Sequence, residues 1–208
     1  MRYELKYAVD HLTHEAVIAQ LGMHPASLTE LYPDRQINNY YFDTPDFSCY
    51  HQNVEGQPRR QKMRLRWYGT SQYPTSTSTL EIKQKDRELG WKDSYNVASN
   101  IHDQVSLMTA VQQAGILQSE LQPVLKNTYI RSYFVSQDGL FRVTVDREQT
   151  FTLPFAGLPA LQLQRHPIVI EVKFEQEHHA RSSDITQYMT FRQTKNSKYA
   201  TGVEVLYM

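Results

Sequence analysis

A strict alternation of basic and apolar side chains in one short stretch is the feature that most constrains the fold of this 208-residue chain. Lys62, Arg64 and Arg66 occupy every second position, and an apolar residue lies at each position between them. Successive side chains of a β-strand point to opposite faces, so a strand here has one cationic face and one apolar face. Similar alternation occurs in five other segments: Glu4–Lys6, Glu81–Lys85, Tyr129–Arg131, Arg142–Asp146 and Glu171–Lys173. We therefore expect six strands whose charged faces converge on an anionic ligand.

Strands of this kind can pack in only a few ways. Charged faces turned to bulk water would leave apolar faces that need a partner sheet or helices. Charged faces turned inward would need a hydrated interior, because an isolated charge in a dry core costs many kcal/mol. A barrel of about eight strands leaves room for one slender ligand. We therefore predict an α+β fold, an antiparallel β-barrel tunnel of about eight strands, with a polar, charged interior and helices packed outside. An extended phosphate chain suits such a tunnel.

Turn signals favour antiparallel connections between the strands. Gln137, Asp138 and Gly139 mark a hairpin turn between two strand-like runs. The predicted strands are residues 2–8, 37–43, 61–68, 79–85, 91–97, 127–135, 140–148, 168–174 and 202–207.

Three segments carry helix start and stop signals. The first begins after Asp10 or Thr13 and ends at Leu21, the second begins after Ser99 or Asn100 and continues through Ala114, and the third runs from Ser183 or Asp184 to Phe191. Residues 69–79 are rich in Ser and Thr and are predicted to form a surface loop, and residues 154–167 to form an insertion or a short helix. Charged strands lie on both sides of each stretch, so we predict a single domain over residues 1–208.

Composition narrows the functional classes. The formal net charge is zero, from 22 Lys and Arg against 22 Asp and Glu, which argues against a nucleic-acid binder that uses a broad basic surface. Cys49 is the single cysteine, so an intramolecular disulfide and a cysteine-rich zinc site are impossible. No apolar run approaches the roughly 20 residues of a transmembrane helix, and the N-terminus lacks a hydrophobic signal core. We expect a cytoplasmic protein without a membrane segment.

Eight short motifs then give the chain a family resemblance. In order, they are residues 2–7 (RYELKY), 41–44 (YFDT), 62–66 (KMRLR), 80–83 (LEIK), 129–131 (YIR), 142–146 (RVTVD), 171–173 (EVK) and 197–199 (SKY). Together they resemble the VTC domain, the polyphosphate-polymerase module of the triphosphate tunnel metalloenzyme (CYTH-like) superfamily. The resemblance covers nearly the whole chain.

The resemblance implies a β-barrel tunnel that binds ATP, inorganic triphosphate or polyphosphate together with Mg²⁺ or Mn²⁺. It also implies a phosphotransferase that moves the γ-phosphoryl group of ATP to a growing polyphosphate chain and releases ADP. The residues that match phosphate-binding positions of the family are Lys6, Arg64, Arg66, Lys83, Lys92, Arg131, Arg142 and Lys198. Tyr129 matches a tunnel tyrosine, and Glu171 matches a metal-binding glutamate.

One departure from the wider superfamily bears on the reaction. The superfamily's N-terminal signature reads Glu-x-Glu-x-Lys, and this chain has Arg2 at the position of the first glutamate. The change removes one metal ligand and favours phosphate-chain binding over metal-dependent hydrolysis.

Phosphoryl transfer requires neutralisation of charge and in-line alignment more than covalent help from the protein. Guanidinium groups bind phosphate oxygens in pairs, and lysines act as point charges. Our hypothesis is that four catalytic arginines hold the β- and γ-phosphoryl groups: Arg64, Arg66, Arg131 and Arg142. Three lysines complete the clamp: Lys6, Lys83 and Lys198. Glu171 is the expected metal ligand. The second-choice carboxylates, which are equally suited to hold arginines in place, are Glu4, Glu81, Asp146 and Glu204.

Three functions remain open at this point. The leading prediction is an ATP-using polyphosphate polymerase. The alternatives are a hydrolase of tripolyphosphate or nucleoside triphosphates on the same tunnel and a non-catalytic polyphosphate-binding protein. The sequence does not identify the metal or a partner subunit.

Overall fold

The protein is described by a computed structural model, which covers residues 2–87, 89–97, 101–113, 120–156 and 167–208. Eight strands lie in these ranges: β1 (Arg2–Val9), β2 (Thr29–Asp43), β3 (Arg59–Tyr68), β4 (Ser78–Asp86), β5 (Leu89–Val97), β6 (Gln122–Val135), β7 (Arg142–Thr152) and β8 (Ile168–Glu175). The helices are α1 (His14–Gly22), α2 (Ser48–Val54), α3 (Gln104–Gln113), α4 (Ser183–Thr186) and α5 (Lys198–Tyr207), and a 3₁₀ helix spans Gln176–Arg181.

The eight strands form a closed ring. Their hydrogen-bonded order is β1-β5-β4-β3-β2-β6-β7-β8, and β8 returns to β1. The pairs β1–β8, β2–β3, β3–β4, β4–β5 and β7–β8 are antiparallel. The prediction of an antiparallel ring of about eight strands with additional helices is therefore confirmed.

Backbone contacts divide the chain into two compact units. The first unit comprises Met1–Arg35, Tyr129–Gln149 and Leu163–Asn196, and the second comprises Gln36–Thr128, Thr150–Gln162 and Ser197–Met208. The prediction of one domain over residues 1–208 stays a prediction.

In the first unit, the apolar faces of β1, β7 and β8 form a core with α1. Val17 and Leu21 of α1 pack in one cluster with Val145 of β7 and Ile170 of β8. The helix begins where the sequence predicts, because the Thr13 side chain accepts a hydrogen bond from Ala16 N and satisfies a free amide of the first turn. The Gln137–Gly139 hairpin is also confirmed, with a positive φ of 75° at Gly139 that glycine adopts readily.

In the second unit, two apolar clusters flank the strands. One joins Trp67 of β3 and Leu80 of β4 to Leu107 of α3. The other joins Leu125 of β6 to Val203 of α5, together with α2. All five side chains are almost completely buried.

Buried Asp43 connects three segments of the second unit. Its carboxylate accepts hydrogen bonds from the backbone amides of Thr44, Cys49 and Tyr50 and from the hydroxyl of Tyr199. These bonds tie β2 to the beginning of α2 and to α5. Asp43 is therefore a structural residue that satisfies the amides of a tight turn.

The predicted strand 202–207 is wrong, because these residues belong to α5. Tyr199, Val203 and Leu206 recur at helical spacing and pack into the same cluster, and Ser197 accepts a hydrogen bond from Ala200 N as the helix cap. The run Val203–Leu206 is β-branched and apolar enough to suggest a strand, but burial of one helical face outweighs that local preference.

Other boundaries differ more modestly from the predictions. The α2 helix was not predicted, and β2 begins at Thr29, before the predicted residue 37. The third predicted helix is limited to Ser183–Thr186. The second predicted helix begins at Gln104, and the Asp103 side chain just before it accepts a hydrogen bond from Ser106 N. The proposed caps of this helix, Ser99 and Asn100, and its proposed end at Ala114 lie outside the described residues. Residues 157–166 of the predicted insertion also lie outside them. Within the described ranges, no helix is both long and apolar enough to cross a membrane.

Candidate functional site: two groups of charged side chains

The second unit carries one strongly basic sheet face on β3, β4 and β5. Arg64 lies opposite Glu81, and Lys83 lies opposite both Lys62 and Lys92. Directly paired residues of neighbouring strands point to the same face. The register places seven basic side chains on this face: Arg60, Lys62, Arg64, Arg66, Lys83, Lys85 and Lys92. Among the described residues of these three strands, Glu81 is the one carboxylate on this face.

Glu81 is the centre of this basic face. Its side chain is 5% exposed, and it accepts hydrogen bonds of 2.7 Å from Arg64 Nε and 2.8 Å from Lys92 Nζ. Arg66 Nη1 lies 3.5 Å from Glu81 Oε1. Burial alone would raise the pKa of Glu81, but attraction to Arg64 and Arg66 outweighs it and holds that pKa well below its usual range. Glu81 therefore stays ionised and holds both guanidinium groups in place.

Residues of β2 and α5 position further cations of the second unit. Arg66 Nε donates to Asn39 Oδ1 at 3.2 Å. Lys62 Nζ donates at 2.7 Å to Ser197 Oγ, which also caps α5. Lys198, the first residue of α5, is 7% exposed. Five of the predicted phosphate-binding residues thus belong to this unit: Arg64, Arg66, Lys83, Lys92 and Lys198.

The first unit holds a second group of charges, in which Arg131 is paired with two carboxylates. Arg131 of β6 donates to both oxygens of Asp146 on β7, at 2.5 Å from Nε and 2.6 Å from Nη2. Its Nη2 also donates to Glu171 Oε2 at 3.2 Å. Burial opposes the charged form of Arg131, but Asp146 more than compensates and raises the pKa of the guanidinium above its usual range. A bidentate pair of this kind is geometrically specific.

Glu171 of β8 is surrounded by cations. Besides Arg131, it contacts Lys6 Nζ at 3.1 Å and Lys173 Nζ at 2.6 Å. Lys6 Nζ also lies 3.0 Å from Glu4 Oε1 and donates to the carbonyl of Asn196. Burial opposes the charge on Lys6, but Glu171 and Glu4 raise its pKa above the usual range. For Lys173, burial dominates and lowers the pKa to about 8, against attraction to Glu171.

Two further predicted residues of the first unit are placed differently. Tyr129 is buried, and the Arg131 guanidinium carbon lies 5.3 Å from its ring centroid, which is a cation–π contact. Arg142 is exposed at the start of β7, opposite Lys173. The assignment of both residues to phosphate binding stays a prediction, as does the expectation that Arg64, Arg131 and Lys198 share one lumen.

The carboxylates differ in how well they could hold a divalent cation. Glu4 and Glu171 both approach the Lys6 ammonium, at 3.0 and 3.1 Å, so this pair already binds a positive group. Asp146 is engaged by Arg131 and Glu81 by its cations, while Glu204 is exposed on α5. Within the described ranges, no three His, Cys, Asp or Glu residues are grouped as a metal site. Glu4 and Glu171 could hold Mg²⁺ or Mn²⁺ in exchange for their contacts with Lys6, with the other ligands coming from phosphates and water.

Sequence reasoning left four basic residues of the two charged groups out of the predicted site: Arg60, Lys62, Lys85 and Lys173. Lys62 and Lys173 belong to the alternating pattern, and the structure places Lys62 beside Ser197 and Lys173 on Glu171. The alternation was itself sufficient to include them.

Solved structures of similar fold come from bacteria and a plant. A proposed adenylate cyclase from Vibrio parahaemolyticus is 17% identical, with a TM-score of 0.57 over 98% of this chain and 97% of that chain. One from Bacillus halodurans is 16% identical, with a TM-score of 0.54 over 100% and 98%. A proposed adenylyl cyclase from Hippeastrum, described as having a dominant triphosphatase activity, is 12% identical, with a TM-score of 0.57 over 99% and 96%.

Sequence comparisons give one clear result. The family profile of the VTC domain matches residues 1–207. No curated protein sequence matches the chain. The solved structures are too distant in sequence to show more than the shared fold, whereas the profile covers almost every residue.

Proposed function

Because the chain belongs to the VTC domain family, we propose that it is a polyphosphate polymerase that binds ATP and a polyphosphate chain through its basic sheet face. The observation that carries the proposal is the face of β3–β5, where seven basic side chains share one face with a single carboxylate among the described residues. A formally neutral chain that concentrates positive charge in this way is suited to a dense linear anion. Phosphate chains are such anions.

Arg64 and Arg66 are the residues best placed to bind the transferring phosphoryl group. Glu81 fixes one edge of the Arg64 guanidinium through Nε and Nη2 at 2.7 Å, and Asn39 fixes Arg66 through Nε. Arg64 Nη1 also donates to the Tyr41 hydroxyl at 3.4 Å. A guanidinium group carries five N–H donors, so each arginine has the capacity to donate to phosphate oxygens as well. Arginines oriented before the ligand arrives stabilise the charge of the transition state without reorganising.

In the proposed reaction, a terminal oxygen of the polyphosphate chain attacks the γ-phosphorus of ATP. The bond between the γ-phosphorus and its bridging oxygen breaks, and ADP leaves with that oxygen. The lysines Lys62, Lys83 and Lys92 neutralise charge along the phosphate chain as point charges. The catalytic work is positioning and neutralisation, as for phosphoryl transfer in general.

The group around Glu171 is proposed to bind phosphate and a divalent cation together. Glu171 and Glu4 would hold Mg²⁺ or Mn²⁺, which supplies charge neutralisation and orientation of phosphate oxygens when bound. Lys6 contacts both carboxylates and Lys173 contacts Glu171, and these contacts orient the two side chains. Arg131, held by Asp146, presents a fixed guanidinium to a phosphate oxygen.

A hydrolase is the second candidate, because the similar protein from Hippeastrum is described as a triphosphatase. Water would then replace the chain end as the attacking group, and the same arginines would bind the triphosphate. Arg2, where the superfamily has a glutamate, favours the polymerase by reducing the number of carboxylates available to activate water.

Product analysis separates these functions. Purified protein is incubated with ATP and Mn²⁺ or Mg²⁺, and the products are resolved on a polyacrylamide gel that retains long polyphosphate. The proposal predicts a polymer ladder and stoichiometric ADP. Orthophosphate without polymer would establish the hydrolase, and tight binding without turnover would establish a binding protein; either result refutes the polymerase.

Matched variants show whether the activity uses the basic face. Arg66→Ala removes a cation of that face and is expected to abolish product formation. Arg59→Ala is the control on the same strand, since Arg59 points to the opposite face and its side chain is 88% exposed beside Asp86. Equal activity in the two variants would refute the assignment of the face.

A further inference from the structure

Two tyrosines and an arginine form an exposed cluster in the first unit. The Tyr32 and Tyr133 rings are 5.7 Å apart in an edge-to-face arrangement. The Arg35 guanidinium carbon lies 4.8 Å from the Tyr32 centroid and 5.7 Å from the Tyr133 centroid. Tyr32 is 46% exposed, and residues 29–35 of β2 are exposed throughout. The cluster therefore presents aromatic and cationic surface to solvent.

The cluster lies next to the charged group around Glu171. Tyr133 follows Arg131 by two residues on β6, so both side chains point to the same face, about 7 Å apart along the strand. Arg131 is the residue of this strand that binds Glu171 and Asp146. The aromatic cluster is therefore a neighbour of Arg131, the proposed phosphate-binding residue, and does not cover it.

The chemistry of the cluster matches a purine base. Aromatic side chains and guanidinium planes stack on nucleobases, and a guanidinium already over a ring adds cation–π attraction. Nucleotides carry the base one ribose away from the phosphates, which suits a stacking surface adjacent to a phosphate site.

We propose that Tyr32, Arg35 and Tyr133 bind the base of a nucleoside triphosphate and give the protein a preference for ATP over inorganic triphosphate. The inference rests on the proposed function, because it takes Arg131 of the same unit as a contact to the phosphates of that nucleotide. It concerns selectivity and not phosphate binding. Loss of the cluster should therefore weaken nucleotide binding and leave inorganic triphosphate binding unchanged.

Calorimetric titration with two ligands tests this assignment. The probes are the non-hydrolysable adenosine 5′-(β,γ-imido)triphosphate and inorganic tripolyphosphate, each with Mg²⁺. Tyr32→Ala and Arg35→Ala are expected to lower nucleotide affinity about tenfold, at the low end of measured base–aromatic stacking. Tripolyphosphate affinity should change by less than about twofold, which also shows that the variants are folded.

Two controls sharpen the result. Tyr32→Phe keeps the ring and should retain the nucleotide affinity of the wild type. Tyr188→Ala removes a tyrosine of similar exposure, 51%, in the same unit, where its ring packs against His24, and should change neither affinity.

The outcomes distinguish this inference from the proposed function. Unchanged nucleotide affinity in Tyr32→Ala and Arg35→Ala, with intact tripolyphosphate binding, would overturn the base site alone. Equal losses for both ligands would also overturn it, because Arg35 would then be a phosphate contact or a structural residue. Failure of the wild type to bind tripolyphosphate would refute the proposed function and the base site with it.

Discussion

Replacement of Glu81 by Gln should weaken the fold and strengthen anion binding. Glu81 is the one carboxylate among the described residues of the basic face of β3–β5, and it is 5% exposed. Glutamine keeps an oxygen that can accept from Arg64 Nε, so the geometry of that arginine is largely retained. The negative charge, however, is lost. The variant therefore separates the neutralising effect of Glu81 from its orienting effect.

The two effects can be estimated from the structure. Removing one member of a buried ion pair costs about 3–5 kcal/mol. The side chains of Arg64 and Lys92 are 21% and 45% exposed, so solvent screening reduces the cost of losing the Glu81 charge to about 2 kcal/mol. For a chain of this size, that loss of stability corresponds to a fall in Tm of about 4–8 °C. A phosphate on the far side of Arg64 would lie roughly 7 Å from residue 81, where one charge is worth about 2 kcal/mol at an effective dielectric constant of about 20. Salt screening lowers this interaction energy, so we expect the affinity of Glu81→Gln for tripolyphosphate to be about fivefold to thirtyfold higher than that of the wild type.

Thermal unfolding with and without tripolyphosphate measures both effects. At about 100 times its Kd, the ligand should stabilise the folded state by about 2.7 kcal/mol, which is more than the roughly 2 kcal/mol that Glu81→Gln is expected to lose. Asp86→Asn is the matched control on β4, since Asp86 pairs with Arg59 on the opposite face and its side chain is 41% exposed. A Glu81→Gln variant that bound tripolyphosphate no more tightly than the wild type would refute the reasoning.

Three further predictions concern single positions. Gly202→Ala should cost about 1–3 kcal/mol in urea denaturation, since a Cβ there would lie 2.7 Å from Phe151 Cδ1 and 2.8 Å from Leu125 Cδ2; an unchanged midpoint would contradict the packing. Cys49 should resist iodoacetamide at pH 8 and react after denaturation, because burial raises its pKa to about 12; rapid labelling of the native protein would contradict this. Glu171→Gln should reduce metal-dependent turnover more than metal-free tripolyphosphate binding, and equal losses would indicate a structural role.

Alternating charge was sufficient to predict six of the eight strands and the face on which the charged side chains of each strand lie. The period of two is a local property, and it places Lys62, Arg64 and Arg66 on one face of β3 whatever the rest of the fold does. The pairing of Arg131 with Asp146 could not be predicted in the same way. This pairing depends on the register of β6 against β7, and the sequence of either strand by itself does not determine that register.

The errors arose where tertiary packing outweighs local pattern. Residues 202–207 look like a strand, yet Tyr199 and Val203 bury one helical face against Leu125. Arg35 could not be singled out from the sequence, because its contacts are with two rings, Tyr32 and Tyr133, which lie about 100 residues apart in sequence. Contacts of this kind appear only once the strands are placed.

Calorimetric titration of tripolyphosphate into Arg66→Ala and Arg59→Ala tests the central claim most directly. The two arginines lie on one strand, but Arg66 is on the face of Glu81 and Arg59 is on the opposite face. We predict that Arg66→Ala loses at least about tenfold in affinity, as expected when one charge-assisted phosphate contact is removed. Arg59→Ala should bind like the wild type. Equal affinities in the two variants would contradict the assignment of this face to phosphate binding.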